Sequence, residues 1–494
     1  MPSIYRPRRP RASPLWQVVH TSWSDFQAGY ETCHRKKHGP LSRHAVNVVR
    51  SFLRCGDISS GFTRLQCPDC GHERLLAFTC KGRYFCPACH QRRVRTGAWW
   101  IARELCHPVP HRQFVFTMPR PLRGIFRKRR ELLGLLFQTA TGCLRDWFRA
   151  RLDLPEGRIA AVAAVQTFGD YLVFHPHLHV LAATGLFDGE GRFHLLPVES
   201  VEPLADLFRH RFLAVLRKEK LISEKKLREL LEWRHSGFSL DAGPKPVAST
   251  DVEGRQALAE YLLRAPFSVE KITWNATTRK VIYRSSRSWR MKRNFEVFSA
   301  EDFLAAAIEH IPPKSAQTVR YYGIYSNKTR GMVAKTGETA NRAGSGEGGK
   351  GGARPSTPEI ILAPARHAGS RPIRTHWREL IRRVWGADPH ICPCCKGVMK
   401  TAGTFQRPEE IQFYLRLFGL WEGIVDIPPP PKPPYDVVTM EPLDPPPQWN
   451  SESERIEAAD PDQPELFIED ADQSSGWKPR EIRLDDGRIL VLDD

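Results

Sequence analysis

Residues 174–183 read FHPHLHVLAA. On a strand, alternate side chains share a face. His175, His177 and His179 then point one way, and Leu178 and Val180 point the other way, into a core. Pro176 fits a strand start or an edge. Two imidazoles two residues apart can hold one divalent cation. They leave coordination positions open, as a catalytic ion needs. A third ligand has to come from a neighbouring element. Gln166, in the apolar strand candidate 160–168 just upstream, supplies a carbonyl oxygen if the two strands pair. His175 is its rival.

Further strand candidates are 113–118 and 177–183, and helical patterns cover 130–152, 201–219 and 223–234. Strands separated by helices, with a hairpin in the middle, make this part an α+β sheet domain. Downstream, Thr250 and Glu253 have the spacing of a capping box. The helix behind it, GRQALAEYLLRAP, places Leu258 and Leu262 on an apolar stripe. Tyr261 and Arg264 are three apart and so share a surface. A lone tyrosine on a helix is more often packing than chemistry.

Upstream, the segment CPDCGHERLLAFTCKGRYFCPACH carries Cys67-x2-Cys70 and Cys86-x2-Cys89. Each C-x-x-C makes a knuckle with two converging thiolates, and two knuckles give the closed tetrahedral sulfur set that zinc prefers. Cys67, Cys70, Cys86 and Cys89 are thus expected to hold one structural Zn2+. Cys55, Cys80 and Cys106 are left over, as buried small side chains, though Cys80 can displace one of the four. Arg74, Lys81, Arg83, Arg92, Arg93 and Arg95 surround the cluster and suit contact with a DNA backbone. A second group, HICPCCKG, sets Cys392 and Cys395 in C-x-x-C register with Cys394 between. One knuckle on its own is a weak zinc signal.

The chain has 494 residues and a formal net charge of +19. The last 68 residues hold 6 basic and 17 acidic side chains, so the preceding 426 carry 68 basic against 38 acidic. A body this basic points to a polyanionic partner, most simply nucleic acid. No run of 18 apolar residues argues for a membrane span. Met1–Trp16 is rich in Arg and Pro with no apolar stretch, which is not the pattern of a secretory signal. Twelve cysteines, mostly clustered in such a chain, favour thiolates on metal in a reducing compartment over disulfides. The expected organisation is a zinc-binding, DNA-contacting domain at 1–110, a catalytic domain at 111–335, and a Gly/Ser-rich linker at 336–375. A small helical Cys-containing piece at 376–426 and a Pro-rich acidic tail at 427–494, disordered by composition, complete it.

The cysteine segment, then FVFTMPRPLR (114–123), HPHLH (175–179) and EYLLRAPF (260–267), in that order, resemble the rolling-circle insertion-sequence transposases of the IS-ninety-one type. The resemblance spans roughly residues 20–335 and resumes in HWRELIRRVWGADPHICPCC (376–395). It implies an antiparallel-sheet endonuclease domain of the His-hydrophobic-His kind behind a zinc-ribbon-like module. His177 and His179 match the pair that holds a catalytic Mg2+ or Mn2+, and Tyr261 matches the nucleophile that forms a 5′-phosphotyrosine. Arg264 could steady the phosphate. Members with two tyrosines place the first one turn earlier, where this chain has Ala257, so it resembles a single-tyrosine variant. The partner implied is single-stranded or melted DNA at element ends, and the setting a bacterial cytoplasm, close to the nucleoid. Tyr321, Tyr322 and Tyr325 are fallback nucleophiles; Tyr322 in particular is expected to stack on bases. The absence of a P-loop agrees with chemistry that conserves the phosphodiester's energy. The competing readings are a non-catalytic zinc-dependent DNA-binding protein and a plasmid-type relaxase or replication initiator.

Overall fold

The computed structural model describes residues 10–196, 200–233, 237–243, 245–285, 294–332, 382 and 387–421, with the backbone of short strand pieces at 3–4, 481–483 and 489–491. The expected linker, 336–375, lies outside the described residues, as does the tail 427–494 apart from its two strand pieces. Two helices lead, α1 (Pro14–Cys33) and α2 (Arg43–Leu53). A hairpin follows, β1 (Phe62–Gln66) and β2 (Glu73–Ala77), and then helix α3 (Pro87–Trp100). Next come β3 (His111–Thr117), α4 (Leu133–Leu152), β4 (Ala160–Phe168) and β5 (Phe174–Ala183). Helices α5 (Glu202–Lys218) and α6 (Glu224–Glu232), strand β6 (Ser239–Asp241) and helix α7 (Val252–Leu263) complete the centre. A meander of β7 (Ile272–Asn275), β8 (Lys280–Arg284) and β9 (Phe295–Ser299) leads to α8 (Ala300–Ile308) and β10 (Val319–Gly323). The last described stretch gives β11 (Lys400–Phe405) and α9 (Pro408–Leu417).

Serines start several of these helices. Ser13, Ser42, Ser223 and Ser299 each accept the N–H of the third residue on, which satisfies a donor the helix leaves open. On α7 the cap sits one residue later than the Thr250 reading. Asp251 accepts the Gly254 N–H at 2.8 Å.

The chain is α+β. Its largest sheet has the order β10–β4–β5–β3–β6, antiparallel throughout. The histidine strand β5 is central. It begins three residues before the expected 177, and Pro176 is tolerated for a local reason. Pairing with β3 stops at Thr117–His177, and β4 bulges between Gln166 and Phe168, so no ladder donor is lost there.

Alternation gives the sheet two different faces. Leu178, Val180 and Ala182 pack with Phe114, Phe116 and the apolar sides of α4 and α5. Leu181 and Ala183 pack the other way, with Ala160, Val162 and Ala164 of β4 and with Ala259 and Leu262 of α7. The small side chains of β4 let α7 lie close to the sheet.

A second core joins segments that the sequence suggested were separate. Helices α1 and α2 pack on β8, on α8 and on Phe85, Cys86 and Cys89. The expected boundary at 110 therefore does not divide the packing. Residues 387–421 are not a separate helical piece either: β11 adds to the edge of β1, from Lys400–Gln66 to Phe405–Phe62, making a sheet of order β11–β1–β2.

The two-faced sheet makes a direct prediction. Leu178 is fully buried on the helix side, between the histidines that face the other way. Leu178→Ala should lower stability by about 2–5 kcal/mol through the cavity it leaves, read as an earlier midpoint in denaturant unfolding.

Candidate functional site

On the α7 side of β5 the three imidazoles stand in a row. Ring centroids are 5.1 Å apart for His175 and His177, and 4.8 Å for His177 and His179. His177 and His179 are buried. His177 Nδ1 donates to the His175 carbonyl at 2.7 Å, which leaves the lone pair on Nε2. The Gln113 side-chain amide lies 2.7 Å from His179 Nδ1. His179 Nε2 and His175 Nε2 are buried with no hydrogen-bond partner. An orphaned buried ring nitrogen is costly unless something binds it.

Burial, aided by the positive charges of Arg264 and Arg123, pushes His177 down to about 4. Burial, His177 and Arg264 push His179 down to about 2. Burial and Arg123 push His175 down to about 3. All three stay neutral at physiological pH, with lone pairs free for a cation. The donor set thus fits a divalent ion at His177 and His179.

Tyr261 stands against this row. Its ring centroid is 5.3 Å from that of His179, at 79°, and the side chain is 45% exposed, open to a strand from solvent. Arg264 places its guanidinium carbon 4.3 Å over the Tyr261 ring and 5.3 Å over Phe168. Ala257 is exposed one turn before Tyr261.

Gln166 has a different task from the one its position suggested. It is cross-strand from His177, yet its amide is committed to α7. Its Nε2 donates to the Tyr261 and Leu262 carbonyls at 2.9 and 3.1 Å, and its Oε1 accepts from Arg264 Nε at 3.0 Å. It is a clamp on the tyrosine helix, and the oxygen expected to face a metal accepts from Arg264. The carbonyls of a helix's last turn need donors, and buried Gln166 supplies two of them.

His90 is a second clamp, on the other side of α7. Its Nδ1 accepts from the Tyr84 N–H at 3.1 Å, so Nε2 carries the proton and donates to the Leu263 carbonyl at 3.1 Å. Gln113 and His90 were not singled out in the sequence. Each is a common polar residue whose role depends on a fold-level neighbour.

The cysteines regroup. Among the described residues two sets of four thiols converge within 4.8 Å, Cys55/Cys80/Cys86/Cys89 and Cys67/Cys70/Cys392/Cys395. The three histidines do not all converge to that distance. The single set of Cys67, Cys70, Cys86 and Cys89 is therefore corrected. Cys86 is the N-cap of α3 and Cys89 lies in its first turn, so this pair opens a helix and does not form a hairpin knuckle facing Cys67 and Cys70. Cys55 and Cys80 fill the gap, with sulfur separations of 3.6–3.7 Å to Cys86 and Cys89. Cys106 joins neither set; burial pushes its thiol up to about 12.

Of the expected DNA contacts, Arg93 is exposed and Arg92 half-buried on α3. Arg83 donates to the Ala316 carbonyl at 3.2 Å. Tyr322 is no stacking platform. It packs on the helix-side core from β10, where burial raises its hydroxyl. Strand alternation sends Tyr321 to the opposite face, against Trp100. Tyr325 is 1% exposed, its hydroxyl held by His107 and His111. No helix among the described residues is long and apolar enough to cross a membrane.

Comparison with known proteins agrees with this layout. A family model described as a transposase zinc-binding domain matches residues 24–118, and one described as a putative transposase matches residues 160–331. The chain is 26% identical over 366 residues to the transposase for insertion sequence element IS801 of Pseudomonas savastanoi pv. phaseolicola, covering 69% of this chain and 83% of that protein. It is 27% identical over 341 residues to the putative transposase y4qJ of Sinorhizobium fredii, covering 62% and 81%. No solved structure matches. The two models and the two relatives agree in kind: the chain is similar to insertion-sequence transposases, and its N-terminal part is similar to their zinc-binding domain.

Proposed function

We propose that this transposase nicks and rejoins single-stranded or locally melted DNA through a 5′-phosphotyrosine on Tyr261, in rolling-circle-type transposition. The observation that carries the reading is the contact of an exposed tyrosine with His179, beside buried imidazole nitrogens that lack any protein partner. His177 and His179 would hold a divalent ion, Mg2+ or Mn2+, with His175 the nearest further nitrogen. When bound, such an ion polarises the scissile phosphate and offsets charge on its oxygens.

The chain's own residues do the rest. The Tyr261 hydroxyl oxygen forms a bond to phosphorus and the bond from phosphorus to the 3′ oxygen breaks. The tyrosine proton is released, and the leaving 3′ oxygen ends as a hydroxyl. A 3′-hydroxyl attacking the phosphotyrosine reverses these steps and rejoins the strand without ATP. Arg264 lies over the ring, where charge develops as the hydroxyl gives up its proton. Its Nε is tied to Gln166, and its terminal nitrogens can meet a phosphate. The Gln113 amide nitrogen lies on His179 Nδ1; with that amide flipped, its carbonyl would accept from Nδ1–H and direct the lone pair of Nε2 outward. The four thiols Cys55, Cys80, Cys86 and Cys89 would carry the structural zinc of the N-terminal domain.

Tyr261→Phe should cut covalent adduct formation on a 5′-labelled single strand by about 10³-fold or more, with DNA binding nearly intact. An adduct on the phenylalanine variant at the normal rate would refute the assignment. Gln113→Leu should raise the Mg2+ or Mn2+ concentration for half-maximal nicking by roughly 10–100-fold, as loss of an orienting partner does, with little change in melting temperature. Arg264→Lys keeps the charge but loses the planar fork. It should lower the nicking rate more than it lowers affinity for the strand, as single-turnover kinetics would show.

A further inference from the structure

We propose that Cys67, Cys70, Cys392 and Cys395 form a second structural zinc site, assembled across more than 300 residues of chain, which makes residues 387–421 part of the N-terminal domain. Half of its ligands lie outside both regions that the family models match.

The geometry is that of two facing knuckles. In the first, the Gly71 N–H donates to the Cys67 carbonyl and the Cys67 N–H to the His72 carbonyl, at 3.0 and 2.9 Å. In the second, the Lys396 N–H donates to the Cys392 carbonyl and the Cys392 N–H to the Gly397 carbonyl, at 3.1 and 2.9 Å. The residue after each second cysteine, Gly71 or Lys396, is left-handed, with φ of 72° and 65°. The same turn is thus built twice from unrelated stretches. The Gly397 N–H also points at Cys395 Sγ, 3.4 Å away.

The sulfurs have the spacing a metal requires. Cys67 and Cys395 are 3.4 Å apart, and Cys70 and Cys392 are 3.6 Å apart. A disulfide would need about 2.05 Å. A zinc–sulfur bond of about 2.3 Å puts the edges of a tetrahedron near 3.8 Å. Four thiolates in that array select zinc among the common divalent ions.

The flanking structure agrees. Strand β11 pairs with β1 directly beside the knuckles. Leu65, Cys67, Cys392 and Met399 share one small core, and Phe62 shares another with Ile411 and Leu415. These two cores are small for holding an end of chain, so the metal cross-link is a main restraint. The inner set, Cys55/Cys80/Cys86/Cys89, is mostly buried. In this outer set Cys70 and Cys395 are exposed, so its ion should be the first to leave. The proposal does not depend on the tyrosine chemistry.

The test counts metal on the purified full-length chain by elemental analysis. Two zinc ions are expected, one for each set of thiols. Cys67→Ser/Cys70→Ser and Cys392→Ser/Cys395→Ser should each lose one, and the variant with all four changes should still lose only one. Cys394→Ser, outside the set, should lose none. Loss of two zinc ions in the four-fold variant, or none in the Cys392/Cys395 pair, would overturn the proposal. A measurement on the unaltered chain guards against misfolded variants. In alkylation followed by mass spectrometry, exposed Cys394 should react at once, whereas Cys70 and Cys395 should stay protected. A chelator should then expose Cys67, Cys70, Cys392 and Cys395 together. Labelling of Cys395 as fast as Cys394 before chelation would reject the site.

Discussion

Helix α3 starts inside one thiol set and runs up against the tyrosine helix, and the candidate site depends on that contact. Cys86 caps α3 and Cys89 sits in its first turn. The next residue, His90, donates to the carbonyl of Leu263 at the end of α7. Further along, Gly97 brings the two helices so close that a Cβ there would lie 2.9 Å from Leu263. On its other side α7 is held by Gln166. Tyr261 is thus presented by a helix braced from both sides, by the sheet and by the cysteine-anchored module. Burial pushes His90 down to about 4, so its neutral tautomer, and with it the brace, persists across the working pH range. The N-terminal module is in this sense part of the scaffold that presents Tyr261.

The electrostatics of the site are complementary to a phosphate. Neutral imidazoles line the sheet, while Arg264 and Arg123 surround them. Arg123 is desolvated enough that its guanidinium is pushed down to about 10, and its Nε is buried with no partner. A desolvated cation beside unpartnered ring nitrogens is an unfavourable arrangement in isolation. An anion and a divalent ion arriving together would relieve both costs. Binding energy would then be released at this site, with long-range attraction supplied by the basic body.

The local patterns were legible in the sequence and the long-range ones were not. Period-two alternation at His175, His177 and His179 gave the strand and the face, because a strand's geometry is local. The 160–168 strand and the 3.6-residue spacing behind Tyr261 and Arg264 were readable for the same reason. Gln166 was read on the strand that pairs with the histidines, but spacing carries no information about register or about which hydrogen-bond partner wins. The carbonyl ends of α7 did. Tyr322 has the composition of a DNA contact, and only the pairing of β10 with β4 decides that it faces the helices. The cysteines show the limit most sharply. CPDCGH and CPCCKG both read as hairpin knuckles, with a residue able to turn left-handed after the second cysteine. CPACHQRR runs on into helix-forming residues. That contrast was present in the letters, but pairing by proximity along the chain outweighed it.

The partnership of β1 with β11 has a consequence for how the protein is made. A ribosome releases the chain N-terminus first. Cys70 emerges 322 residues ahead of Cys392, which at roughly 5–20 residues per second is a delay of some tens of seconds. Throughout it, the free edge of β1 and the Cys67 and Cys70 sulfurs would lack their partners, open to wrong strands and wrong metals. A chain cut short before residue 392 would keep the histidine strand and the tyrosine helix yet lack the outer strand of its amino-terminal sheet.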